Sequence, residues 1–432
     1  MSVNSLGIPT QADVFLPCAQ GIEELLAHEC SAILGPQVPV QALRGGVRAR
    51  VTMLGVMRLN LHSRLAQRVL WPVCGARYRD EQDVYEAARR VAWSQWITPD
   101  QTLRVDTSAW RSPLRSLNFV TLRIKDAVCD VLREQTGARP SVDTHRPHLS
   151  LALYLGPDEF TLYVDTSGQA LFKRGWRDAR GGRVDVKGEA PLKETLAAAM
   201  LAAAGWHGRE EDGPLLDPCC GAGTIAIEAA QISCGMAAGL HRPFAFEKLA
   251  PFQTQMAAWR EMRAQAEAAV HAPRVPIFAG DVSFRMTDFA QRNAERAGVQ
   301  EAIEFKTADA LQRPSPAEHG VIIMNPPYGE RLAPKGTGQS AVGAPGTAPG
   351  AAPGAAARAT RENFEDGDAA VFYAGLASHW KRHYSGWTAW VLTPELKLPS
   401  LMRLKESRRV PMFNGPIECR LFRFDMVSGS AR

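Results

Sequence analysis

Leu215-Leu216-Asp217-Pro218-Cys219-Cys220-Gly221-Ala222-Gly223-Thr224 reads as a strand, a tight turn and the start of a helix. Gly221 and Gly223 let the backbone turn sharply and come close to a ligand, where a Cβ would clash. Around it, short β-type runs alternate with helical stretches: Pro214–Asp217, Val275–Asp281, Ala302–Lys306, Gly320–Met324 and Thr388–Leu392. An Ala/Leu-rich helix ends at Ala204, with Pro191 in its first turn. This alternation predicts a doubly wound α/β unit, a parallel sheet with helices on both faces. Arg409–Phe413 and Glu418–Asp425 have no helix between them and read as an antiparallel pair across Asn414-Gly415-Pro416, so the sheet is mixed.

The front half reads differently. A short apolar run (Val14-Phe15-Leu16) precedes a helix near Ile22–Leu34, a strand at Gly46–Thr52 and a helix near Leu54–Ser63. This order predicts a small α+β layer. Thr102–Asp106 reads as a strand. Ser116 can cap a helix to about Arg133, with Phe119, Leu122, Val128 and Val131 on its apolar face. Ser150–Leu155 and Phe160–Asp165 form a hairpin around Gly156-Pro157-Asp158-Glu159. The tryptophans Trp93, Trp96 and Trp110 are expected to serve packing rather than base stacking.

Composition narrows the function class. The chain has 432 residues, 45% of them hydrophobic, enough for two or three domains with their own cores. No run of about 18 apolar residues suits a membrane span, and no secretory signal is visible, so a cytoplasmic location is expected. The eight cysteines include no Cys-x-x-Cys, and His379 and His383 lack the glutamate of a His-Glu-x-x-His pair. No metal site is expected. Ala333–Thr360 is mostly Ala, Gly and Pro, with little to bury, and reads as a flexible insertion.

Which cofactor would the glycine turn hold? A P-loop is excluded, because no Gly-Lys-Ser/Thr follows. Gly221-x-Gly223-x-x-Ala226 fits the Gly/Ala variant of a dinucleotide fingerprint, but the acid that fingerprint expects about 20 residues on is missing. An acid four residues before the first glycine, Asp217, suits S-adenosylmethionine, a cationic ligand with an amino group to hold. Asp281, ending the next strand, can take two ribose hydroxyls on its carboxylate.

Met324-Asn325-Pro326-Pro327-Tyr328-Gly329 ends a later strand. Two prolines remove two N–H donors and fix the backbone. That leaves acceptors, the Asn325 side-chain oxygen and the Pro326 carbonyl, which suit the two hydrogens of a planar amino group. Holding both favours the pyramidal nitrogen that develops during attack. Tyr328 offers a face on which a flat base can stack. The predicted chemistry is methyl transfer to nitrogen.

At this point the chain resembles a known family. GEAPLKETLAAAML (Gly188–Leu201), LLDPCCGAGTIAIEAA (Leu215–Ala230), GLHRPFAF (Gly239–Phe246), MNPPYGERL (Met324–Leu332) and FNGPIECRLFRF (Phe413–Phe424) look like the Rossmann-like class I methyltransferase domain of the bacterial large-subunit rRNA guanine-N2 methyltransferases. Arg115-Ser116-Leu117-Asn118-Phe119, Leu122-Arg123-Ile124-Lys125-Asp126, Val164-Asp165-Thr166-Ser167-Gly168 and Arg174-Gly175-Trp176-Arg177 resemble the accompanying THUMP module and its ferredoxin-like partner. The resemblance implies that Asp217, Gly221 and Gly223 border the methionine part of S-adenosylmethionine, Asp281 its ribose and Asp309 its adenine. Asn325, Pro326, Pro327 and Tyr328 would form the target-base site.

It also implies structured RNA, 23S rRNA foremost, as partner. The expected organisation is a ferredoxin-like region at 1–70, a THUMP domain at 71–170, a basic linker at 171–190 and a methyltransferase domain at 191–428. Relatives often carry two acids where Asp281-Val282 has one. The competing readings are a tRNA guanine-N2 enzyme, an N6-adenine or glutamine methyltransferase, and a catalytically silent RNA-binding assembly factor. The net charge of +5 is small, but it concentrates at Lys173, Arg174, Arg177, Arg180, Arg183 and Lys187, and again at Lys397, Arg403, Lys405, Arg408 and Arg409. With Arg115, Arg123 and Lys125, the residues Lys173, Arg174 and Arg177 are the expected RNA contacts.

Overall fold

A computed structural model describes residues 7–177, 192–326 and 366–427. Pro191, Pro327, Tyr328 and the insertion at 333–360 lie outside the described residues, as do Arg180, Arg183 and Lys187 of the basic linker.

The front half runs β1 (Gln11–Pro17), α1 (Glu23–Leu34), β2 (Val40–Leu43), β3 (Gly46–Thr52), α2 (Met53–His62), β4 (Leu70–Arg77), α3 (Glu81–Arg89), β5 (Thr102–Ala109), α4 (Leu117–Thr136), β6 (Ser141–Val142), β7 (Leu149–Leu155) and β8 (Glu159–Asp165). These strands make one sheet of eight, in the order β2-β3-β1-β4-β8-β7-β5-β6. Burial alternates with the pleat: Val47, Ala49 and Val51 of β3 and Phe160, Leu162 and Val164 of β8 point into the core. The α4 helix forms where its ends are satisfied. The Ser116 hydroxyl accepts the Phe119 N–H at 3.2 Å, and left-handed Gly137 donates to the Arg133 carbonyl at 2.8 Å. Its buried face is the expected one at Val128 and Val131 but not at Phe119 and Leu122. Val120, Ile124 and Val128 are inside, whereas Phe119 and Leu122 are exposed.

The back half runs α5 (Glu194–Ala204), β9 (Leu215–Asp217), α6 (Thr224–Ser233), α7 (Met256–Ala268), β10 (Ile277–Asp281), α8 (Phe284–Arg296), β11 (Ile303–Thr307), β12 (Gly320–Met324), α9 (Asp366–His383), β13 (Trp387–Thr393), α10 (Leu398–Met402), β14 (Arg408–Asn414) and β15 (Ile417–Asp425). The sheet order is β11-β10-β9-β12-β13-β15-β14. The first five are mutually parallel, and β15 and β14 are antiparallel, as the sequence predicts. One apolar core lines α5, α6 and α8, and a second, with Leu216, Phe278, Ile322 and Trp380, lies under α9. Both faces of this sheet are therefore covered.

The two halves share a core. The cluster that begins at Ala12 continues without a break to Leu421, and Trp71 meets Phe252 edge-on at 6.4 Å. At the joint, Glu228 of α6 is fully buried and takes Arg174 Nε at 2.9 Å and Arg64 Nη1 at 3.1 Å. Arg174 spends its other donors on the carbonyls of Leu171 and Arg64, both at 2.8 Å. Among the described residues no helix is long and apolar enough to cross a membrane.

Candidate active site

The parallel strands β11, β10, β9 and β12 are neighbours and end together, so the residues at their carboxyl ends share one crevice. Leu216 stands opposite Ile322, so Asp217 and Asn325 leave adjacent strands at the same edge. Asp281 pairs with Thr307, and Asp309 follows two residues beyond. The structure thus brings together Asp217, Gly221, Gly223, Asp281, Asp309, Asn325 and Pro326. Pro327 and Tyr328 lie outside the described residues.

The turn after β9 is held by its own backbone. Cys220 N–H donates to the Gly280 carbonyl at 2.7 Å, and Gly223 N–H to the Cys220 carbonyl at 2.7 Å. The two glycines serve different ends. Gly221, at φ +52°, faces open space, and a Cβ there would meet only Met286 Cε at 4.0 Å. Gly223, at φ +86°, would place a Cβ 3.0 Å from that of Ala290, so it is small to let α6 pack on α8.

Asp281 clamps the turn. Its Oδ2 accepts the Gly221 N–H at 3.1 Å and its Oδ1 the Ser283 N–H at 2.9 Å. A carboxylate has about four acceptor sites, so two remain for ligand hydroxyls. Asp217 is buried, with Oδ1 accepting the Cys219 N–H at 3.3 Å. Burial pushes its carboxyl well above the usual range, that N–H and Arg313 pull it back, and Asp281 adds to the rise. A cationic ligand group would relieve this charge. Asp309 is half-buried and accepts the Leu311 N–H at 2.9 Å.

Across the crevice, Asn325 Oδ1 is buried and has no hydrogen-bond partner among the described residues. An unsatisfied buried acceptor costs about 1–3 kcal/mol, which a donor-bearing ligand would recover. The open turn, the spare capacity of Asp281 and the uncompensated Asp217 fit S-adenosylmethionine. Cys219 and Cys220 sit in the same turn. Burial, then Asp217 and Asp281, push both thiols well above their ordinary value.

Two residues of this site escape sequence reading. Asn293 of α8 donates to the Ala222 carbonyl at 2.9 Å and supports the turn from below. Arg313 is buried with its Nη1 unpartnered among the described residues, and a Cβ on Gly280 would lie 2.5 Å from that nitrogen. Neither residue belongs to a motif, and the only signal is a glycine inside the strand pattern of Val275–Asp281.

The expected RNA contacts divide. Arg174 is 3% exposed and committed to Glu228, a correction to its expected role at a surface. Arg177 pairs with Glu194 at 2.7 Å and donates to the Thr224 hydroxyl, so it too is engaged inward. Arg123 lies 3.9 Å over the Tyr85 ring and bonds Gln82, and Lys125 pairs with Asp126 at 2.8 Å. Arg115 and Lys173 are exposed. In the second basic cluster Arg409 pairs with Glu406. Trp93 and Trp96 are buried as expected, but Trp110 is 39% exposed. His379 Nε2 lies 2.7 Å from the Arg313 carbonyl.

Comparison with known proteins agrees with this geometry. Residues 13–70 match the RlmL ferredoxin-like domain, 78–165 the THUMP domain, and 180–341 the RMKL-like methyltransferase domain. The ribosomal RNA large subunit methyltransferase K/L of Psychromonas ingrahamii is 32% identical over 94% of this chain and 49% of its own length. The chain spans about half the length of the curated relatives it matches. The crystal structure of SMU.472, provisionally assigned as a methyltransferase and complexed with SAH, has the same fold (TM-score 0.80, 22% identity, 98% of this chain and 100% of that one). A predicted N6-adenine-specific DNA methylase from Listeria monocytogenes is also similar (TM-score 0.77, 25% identity, 96% of each chain). The chain thus carries, in this order, regions that match the RlmL ferredoxin-like domain, the THUMP domain and the RMKL-like methyltransferase domain.

Proposed function

We propose that this chain methylates RNA at the exocyclic N2 of a guanine, with 23S rRNA as the substrate. The observation that carries the reading is Asn325 Oδ1, a buried acceptor without a partner at the end of β12. With the Pro326 carbonyl it would accept both hydrogens of an amino group, favouring the pyramidal nitrogen over the delocalised planar one. Asp217 would hold the amino group of the cofactor, Asp281 its ribose and Asp309 its adenine edge. Bound S-adenosylmethionine supplies an electrophilic methyl group on a sulfonium. Positioning then accounts for most of the acceleration. Pro327 and Tyr328 are proposed to complete the base site. The relatives' names support large-subunit rRNA, and the THUMP domain supports structured RNA as the partner.

A second reading, adenine N6 in DNA, is favoured only by the name of the Listeria relative. The test is methyl transfer from isotope-labelled cofactor to 23S rRNA, tRNA and duplex DNA, each followed by nucleoside mass spectrometry. N2-methylguanosine from 23S rRNA is expected. Label recovered only as N6-methyladenine from DNA overturns the reading, and label only in tRNA moves the substrate.

A further inference from the structure

Among the described residues the front sheet carries its helices on one face. The pleat sends the alternate positions to the other side: Phe15 in β1, Arg48 in β3, Tyr163 in β8 and Tyr154 in β7. Phe15 and Tyr163 lie with ring centroids 6.3 Å apart, and Tyr154 is 44% exposed. Trp110, just past β5, is fixed by its N–H donating to the Leu155 carbonyl at 2.9 Å. Its ring borders a cavity of about 940 Å³ with Tyr154 and Thr161, within the 300–1,000 Å³ span of ligand pockets.

Two guanidinium groups lie on the Trp110 ring, Arg44 at 4.9 Å and Arg111 at 4.8 Å. Arg111 is held at φ +54°, a left-handed conformation rare for a side-chain-bearing residue. The cavity is lined by Asp83, Asp158 and Glu159 as well as Arg77 and Arg79, so the positive excess is confined to the guanidiniums around Trp110. The strand acids are already neutralised, Asp13 by Arg50, Asp106 by Arg104 and Glu159 by Arg77. Arg44, Arg48 and Arg111 have no carboxylate within ion-pair distance among the described residues. Exposed rings beside unneutralised guanidiniums suit unpaired nucleotides, which offer both a flat base and a phosphate. A duplex shows its backbone but hides its base faces.

We propose that this open face docks an unpaired stretch of the RNA substrate, with bases on Trp110 and Tyr154 and phosphates on Arg44, Arg48 and Arg111. The inference rests on the RNA reading above. It makes the site composite: Arg44 and Arg48 lie in the segment matching the ferredoxin-like domain, Trp110 and Arg111 in the THUMP segment.

The test uses the full chain, a labelled RNA of about a dozen nucleotides and its duplex, followed by fluorescence anisotropy. Wild type should prefer the single strand. Trp110→Ala should weaken that binding about 10-fold and leave the duplex unaffected, and Trp110→Phe should restore most of it. Arg44→Gln and Arg111→Gln should each reduce the salt dependence by about one phosphate contact. Equal affinity for both RNAs in the wild type, or unchanged affinity in Trp110→Ala with an unchanged Tm, overturns the proposal. Methylation of 23S rRNA is scored separately. An unchanged KM in Trp110→Ala removes the face and leaves the guanine reading standing. Stacking-dependent binding without any RNA methylation does the reverse.

Discussion

The two sheets of this protein bury apolar surface in different ways, and the difference decides where each keeps its reactive groups. The back sheet is covered on both faces, so its strands have free positions only at their carboxyl ends. There Asp217, Asp281 and Asn325 stand on backbone that is already fixed. The front sheet is covered on one face, so whole rows of side chains remain outside. An edge site gives precision to a few atoms, and an open face gives area. Removing one group should therefore act on rate at the edge and on affinity at the face.

The largest effect should come from breaking the joint between them. Glu228→Ala leaves Arg64 and Arg174 buried without their carboxylate, a change that costs about 3–5 kcal/mol. Urea unfolding should show that loss, and a loss below about 0.5 kcal/mol would mean that the sheets are held together by apolar packing alone. Next is Asn325→Ala, expected to lower kcat by about 10²-fold while cofactor affinity holds. A matching loss of cofactor affinity would move Asn325 out of the base site.

Asp217→Asn should weaken cofactor binding by about tenfold or more, the worth of one charged hydrogen bond. Its pH dependence is the sharper test. The Asp217 carboxyl is raised by burial, so a proton must leave before a cation can be held. Wild-type affinity should fall as pH drops through that raised value, and the Asn variant should be flat. Without ligand the sign reverses. A folded-state carboxyl raised above its unfolded value stabilises only while protonated, so stability is lost as pH rises through it. The ligand-free Asn variant should then melt a few degrees higher than wild type at neutral pH. A lower Tm would show that Asp217 is a structural acceptor first.

Much of the edge site was legible because its chemistry is local. Asp217, the two glycines and Asn325 lie in short motifs where backbone conformation and residue type coincide. What escaped depends on distance along the chain. Arg174 and Arg177 read as free cations because Glu228 stands 54 positions from Arg174. Arg313 reaches Gly280 from another loop. In the front half, β2 has three half-buried residues and one exposed, β4 carries Pro72 and a shift in register, and α3 buries only Val84 and Ala88. None of these gives a period strong enough to read. The two misplaced positions of α4 have the same origin: Phe119 and Leu122 are apolar, and hydropathy cannot tell a core position from one left outside.

The cysteines of the glycine turn carry one more consequence. A thiolate is the strongest nucleophile a protein ordinarily offers, and Cys219 and Cys220 stand where an alkylating agent would be bound. The burial and neighbouring carboxylates that raise both thiols keep them protonated. The burial that would seat the methyl donor, with the acids beside it adding to the effect, would therefore also disfavour attack by these thiols on that donor.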